Sequence, residues 1–253
     1  MKVFESIVIV GRGNVSYHLV KAFGNRVKAM IVKETNFIED WYSHLPQLTS
    51  YNELDFLPDL VLICVNDTAI HEVIEKTPFD VPVAYTSGSV KLSDLPNRLK
   101  LGVFYPLQTF SKNVATDISK VPFLIESENV DFAVELKELA AQISSNVLFA
   151  NSQDRFHLHV AAVMVNNFTN HLYARAFDFL KEKELDFDLL LPLIEETSSK
   201  LNRMNPMDAQ TGPTIRGDEK IESKHLEVLN GYSKEIYELM AASIKSLHEK
   251  NEL

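Results

Sequence analysis

The chain has 253 residues, 45% hydrophobic and 24% charged, the balance of a globular protein with room for one large or two modest cores. Thirty-five acidic residues against 25 basic ones give a formal net charge of -10, which argues against a general attraction to nucleic acid or to an anionic membrane. No apolar run approaches the roughly 20 residues of a membrane helix. No signal-peptide pattern precedes the first strand, and the single Cys64 cannot form an internal disulfide, so a cytoplasmic address is expected.

The first half alternates strands and helices. Residues 4–10 read as a strand that runs into Gly11-Arg12-Gly13-Asn14-Val15-Ser16 and then a helix over 14–24. This is the form of a phosphate-binding turn. Gly11 permits the tight turn, and a side chain at Gly13 would obstruct a pyrophosphate lying on the backbone. The helix start offers free N–H groups and the positive end of its dipole. Ser16 takes the third small position, where helix and sheet approach closely.

Residues 27–32 form the second predicted strand, and a short helix is expected within 37–45. Leu60 to Val65 is a third strand, with Asp67 or Thr68 capping a helix over 69–76. Cys64 lies among Leu62, Ile63 and Val65 and reads as a buried strand residue. Further strands are predicted at 81–85, 99–105, 122–126 and 147–149, with a helix at 129–142. The expected fold class is α/β, a mostly parallel sheet with helices on both faces, followed by an all-helical domain. The boundary falls near 151, giving domains 1–151 and 152–253.

The end of the second strand selects between dinucleotides. Lys33 and Arg12 suit the extra phosphate of NADP, whereas Glu34 would suit the ribose hydroxyls of NAD. NADP is favoured, with NAD as the alternative. Asn66, Asp67 and Ser87 lie at other strand ends, where ribose, nicotinamide or substrate would sit. Each also has a local use: Asp67 as a helix cap, Ser87 and Gly88 as turn formers.

The pattern becomes helical after Asn151. One long helix is predicted over 153–181, another over 186–203 with Pro192 kinking or delaying it, and a last one over 218–249. The first of these is apolar around most of its circumference, so much of it is expected to be buried. His159, Asn166 and Asn170 lie near one face. They either bond among themselves or line a polar cleft, where His159 can relay a proton. Tyr105 and Lys200 are further candidate acids, Lys200 with a surface role as the plainer alternative. His157-Leu158-His159 does not have the spacing of a metal pair on a helix, and no metal site is expected.

These motifs together resemble a bacterial family that joins a Rossmann-like NADP-binding domain to a helical domain of unknown function. The resemblance rests on Gly11–Ser16, Tyr105-Pro106-Leu107-Gln108-Thr109-Phe110, His159, Asn166–His171, Gln210-Thr211-Gly212-Pro213 and Arg216-Gly217-Asp218. More distantly, the chain resembles pyrroline-5-carboxylate reductase and the β-hydroxyacid dehydrogenases. The resemblance implies a cofactor domain, a helical dimerisation domain and hence a homodimer, and a site between the two domains for an unknown small-molecule substrate. It implies an NADP-dependent oxidoreductase that transfers hydride to or from a small C=O or C=N group. The β-hydroxyacid dehydrogenases carry a catalytic Lys four residues before an Asn. Here Ala162 and Val163 stand four before Asn166 and Asn167, so that mechanism does not carry over. The alternative is a non-catalytic NADP(H)-binding or structural protein.

Overall fold

The run Ile7-Val8-Ile9-Val10 is buried on both faces. Ile7 and Ile9 pack with Leu19, Phe23 and Phe104, while Val8 and Val10 pack with Ile70, Ile74 and Tyr85. A strand covered on both sides belongs inside a helix-flanked parallel sheet. The computed structural model, which describes residues 4–35 and 40–249, places it there.

The strands are β1 (Ile7–Val10), β2 (Val27–Ile31), β3 (Gln47–Leu48), β4 (Leu60–Ile63), β5 (Val83–Tyr85), β6 (Leu101–Pro106), β7 (Phe123–Ser127) and β8 (Val147–Phe149). Their order in the sheet is β3-β2-β1-β4-β5-β6-β7-β8. All neighbours pair in parallel except β6 and β7. The sheet is therefore mostly parallel and Rossmann-like. From β1 the chain first moves outward through β2 and β3, then returns to lay β4 on the other side. The crevice at the carboxyl ends of β1 and β4 is the topological switch point, where ligands of such sheets bind.

Helices α1 (Asn14–Phe23) and α3 (Val130–Ala141) cover one face of the sheet, and α2 (Asp67–Lys76) covers the other. The residue capping α2 is Asn66, one position earlier than expected, and Asp67 lies in the first turn. The helix expected over 37–45 falls partly outside the described residues; Asp40–Tyr42 is a single 3-10 turn. Helix α4 (Ser152–Ala162) follows β8 and runs into a π-helical segment, Val163–Phe168.

The chain divides into two compact units, Met1–Asn167 and Phe168–Leu253. The second contains α5 (Thr169–Glu182), α6 (Leu191–Lys200), the short α7 (Pro206–Ala209), α8 (Glu219–Val228) and α9 (Gly231–Glu249). Pro192 sits in the first turn of α6, so the helix expected from 186 starts late, after a 3-10 turn at Phe187–Leu190. The single helix expected over 218–249 is two. Leu229 adopts extended backbone (φ -93°, ψ 147°), and α9 restarts at Gly231 with φ 48°.

The expectation that the helix after Asn151 is largely buried is corrected. Phe156 (43%), Met164 (59%) and Val165 (74%) are well exposed, so the apolar circumference of this helix does not pack into the core of the first unit. In the second unit no described residue is buried. Its helices are tied by polar and ring contacts: Arg175 donates to the Ser233 hydroxyl at 2.7 Å, and Phe177 meets Phe187 edge to face at 5.6 Å. Among the described residues, no helix is long and apolar enough to cross a membrane.

Candidate functional site

The glycine turn is built by two different constraints. Gly11 has φ 105°, a conformation that L side chains rarely adopt, and a β-carbon there would collide with the Cys64 carbonyl oxygen. That carbonyl follows β4, so the fit of β4 beside β1 itself demands glycine. Gly11 N–H is fixed by the Ile31 carbonyl at 2.9 Å. Gly13 is the opposite case. It precedes α1 in extended backbone, and a β-carbon there would meet nothing within 4 Å. The fold leaves open space over the first turn of α1, where N–H groups have no intrahelical acceptor.

That space belongs to an open cleft of about 1240 Å³. Gly11, Arg12, Gly13, Lys33 and Asn66 all line it. Arg12 is held over the end of β2 by a long hydrogen bond from Nη1 to the Glu34 carbonyl, 3.4 Å. Lys33 is exposed beside it. Tyr51 lies further along the wall, where burial pushes its hydroxyl up to about 12 despite the Thr77 hydroxyl bonded to it at 2.7 Å.

The rest of the motif looks inward. Asn14 ties α1 to the loop after β6, its side-chain amide donating to the Phe110 carbonyl at 2.8 Å. Val15 packs on the core. Ser16 is fully buried, near the Cys64 thiol. These three hold the turn rather than line the cleft.

A second cluster forms around the ends of β5 and β6. The Tyr105 hydroxyl and His159 Nδ1 are 3.1 Å apart, and their rings meet edge to face. Burial raises the Tyr105 hydroxyl above its ordinary value, Arg155 opposes that rise, and Asp67 adds to it. Gly88 is packed directly on this pair. A β-carbon there would lie 2.7 Å from Tyr105 Cζ and 2.8 Å from His159 Nδ1. Ser87 shapes the same turn, its hydroxyl accepting the N–H groups of Ser89 and Val90, both at 3.1 Å. Asp67 accepts a hydrogen bond from the Ser89 hydroxyl.

The expected face of His159, Asn166 and Asn170 is not regular. Asn166 lies in the π segment. One extra residue in a helical turn slips the phase by about 100°. Asn166 is half-buried; in the second unit, Asn170 is exposed on α5 and Lys200 is half-buried at the end of α6. Of the five proposed catalytic residues, Tyr105 and His159 meet within the first unit. Gly88 and Arg155 were not singled out as site residues. Their signals were faint: a glycine inside Thr86-Ser87-Gly88-Ser89, and one arginine in an apolar helix, four residues before a histidine.

A solved structure from Bacteroides fragilis, described as a putative NADP oxidoreductase, is 34% identical to this chain. It superposes with a TM-score of 0.87, covering 96% of this chain and 98% of that one. The chain belongs to the same family. Residues 121–244 also match the family described as Domain of unknown function (DUF2520). A protein from Thermotoga maritima shares the fold at 18% identity, TM-score 0.72, with 98% and 100% of the two chains covered. The pyrroline carboxylate reductase of Plasmodium falciparum, solved with NADP bound, shares it at 12% identity, TM-score 0.61, covering 96% and 99%. No curated protein matches the sequence.

Proposed function

We propose that this protein is an NADP-dependent oxidoreductase that transfers hydride between nicotinamide and a small C=N or C=O substrate. The observation that carries the reading is the pairing of an open glycine turn with a hydroxyl–imidazole pair in one Rossmann-like unit. Membership in the family of the Bacteroides protein supports it, as does the NADP bound in the Plasmodium reductase of the same fold.

The residues present fit a dinucleotide. The space beside Gly13 and the N–H groups of α1 suit a pyrophosphate. Arg12 and Lys33 suit a 2′-phosphate, which favours NADP over NAD. A bound reduced nicotinamide supplies the hydride. As the substrate carbon gains it, the π pair moves to nitrogen or oxygen, and that atom takes the proton of the Tyr105 hydroxyl. Burial makes Tyr105 hold its proton firmly, so the tyrosinate must be refilled at once. His159 Nδ1 is within reach to do so.

The helical unit is proposed to pair with a second copy of the chain, since none of its described residues is buried in one copy.

Thermal unfolding with saturating NADPH or NADH tests the cofactor assignment. Ligand at 100 times its Kd adds about 2.7 kcal/mol of stability. NADPH is expected to protect more than NADH, and Lys33→Ala is expected to narrow the gap. Protection by neither nucleotide overturns the reading. NADPH oxidation against a panel of cyclic imines and ketones then tests turnover.

A further inference from the structure

Arg155 stands four residues before His159 on α4, so the two side chains share one face, a turn apart. It is fully buried. Nη1 donates to the Ser87 carbonyl at 3.0 Å and to the Val90 carbonyl at 2.8 Å. Nη2 donates to the Glu126 carboxylate at 2.9 Å and to the Ser152 hydroxyl at 3.1 Å. Glu126 also accepts the backbone N–H and the hydroxyl of Ser152, each at 2.8 Å. One guanidinium therefore joins the start of α4, strand β7 and the turn from Ser87 to Val90. Gly88, inside that turn, is the backbone packed against Tyr105 and His159.

A buried ion pair is a weak way to gain stability. Replacing both partners with hydrophobic groups is often neutral or better. A guanidinium offers something a hydrophobic pair cannot: a rigid planar fork aimed at several acceptors at once. Here the acceptors are two carbonyls of one turn and a carboxylate on a neighbouring strand. The fork fixes where the turn lies relative to α4, and α4 carries His159.

We propose that Arg155 is the positioning residue of the Tyr105–His159 pair: its fork locks the Ser87–Val90 turn to α4, so that Gly88 holds both rings in hydrogen-bonding contact. What the pair does for catalysis rests on the function proposed above. That Arg155 sets the pair is independent of any substrate.

The test is NMR of the full chain labelled with 15N-histidine, with the His159 resonances assigned by their loss in His159→Gln. The Nδ1 shift reports its hydrogen bond, and Tyr105→Phe defines the value for a broken pair. Arg155→Lys keeps a positive charge opposite Glu126 but loses the fork. Its Nδ1 shift is expected to move most of the way to the Tyr105→Phe value, with NADPH affinity at the glycine turn unchanged. The double variant Arg155→Met/Glu126→Met removes both charges and is expected to give the same shift. Gly88→Ala should match them, through the turn itself. A wild-type His159 shift in folded Arg155→Lys, or in the folded double variant, overturns the proposal. A wild-type chain that binds NADPH but turns over no substrate defeats the catalytic reading alone, since the NMR signature stands or falls without it.

Discussion

The Cys64 carbonyl oxygen lies within clashing distance of the point where a β-carbon on Gly11 would stand. The phosphate turn after β1 is thus moulded by the end of β4, its neighbour across the switch point. Gly11→Ala must move one strand end or the other and also strain a backbone at φ 105°. Strain of this kind costs on the order of 1–3 kcal/mol before the collision is counted. The expected result is a clear drop in the urea midpoint without any nucleotide present. An unchanged midpoint would refute this packing.

Gly13→Ala should behave in the opposite way. Its β-carbon meets nothing in the protein, so the folded state loses under about 1 kcal/mol, mostly through a poorer N-cap. The methyl group would instead project into the space assigned to the pyrophosphate. Calorimetric titration with NADPH should show a loss of affinity in a chain that melts almost as wild type does. Wild-type affinity in Gly13→Ala would place the nucleotide elsewhere.

The contrast between these glycines shows what the sequence could and could not reveal. Both stand out in Gly11-Arg12-Gly13 because two glycines after an apolar strand have few other uses. The central strands were legible for a related reason: burial on both faces leaves near-continuous runs such as Leu60-Val61-Leu62-Ile63, whereas the two-residue edge strand β3, Gln47–Leu48, has no such run and was not foreseen. The role of Arg155 was not legible. Its partners Tyr85 and Glu126 lie 70 and 29 residues away, and no local pattern records such a convergence. The break between α8 and α9 was hidden as well. The apolar spacing continues through Leu226 and Leu229 as if helical, while the backbone at Leu229 is extended.

Tyr105→Phe removes the hydroxyl and keeps the ring. If it is the proton donor, kcat should fall by roughly 10²- to 10⁴-fold, the usual worth of a general acid. NADPH affinity should stay as it was, because the phosphate turn is untouched. His159→Gln should lower kcat as well. An unchanged kcat in Tyr105→Phe, measured on any substrate the wild type reduces, would remove this residue from the chemistry.

Cys64 provides a pH test of the core around the turn. Burial pushes its thiol from 9.0 up to about 12. The folded state therefore favours the neutral form, and this contribution is complete below pH 9. It is lost as pH rises from 9 towards 12, where the unfolded chain ionises first. Tyr51 acts in the same sense, raised from 10.0 to about 12. Urea midpoints should decline across this alkaline range, and less steeply in Cys64→Ala. At pH 8 the native thiol should resist a thiol-specific disulfide reagent that labels the unfolded chain fully. Rapid labelling of the folded protein would contradict the burial.

The helical unit raises a question of cohesion. Leu239 (70%), Leu193 (63%) and Val228 (56%) are exposed in a set of helices with no buried residue among those described. Hydrophobic burial is the main force that holds helices together, and such a unit has little of it within one copy. A second copy would supply the missing cover with helices of the same character. Light scattering should then give twice the mass of the chain, and the melting temperature should rise with protein concentration. Leu239→Glu, which sets a charge on that surface, should shift the population towards monomer and lower the melting temperature. A monomeric mass with concentration-independent, cooperative melting of the helices would defeat self-association and require another source of cohesion.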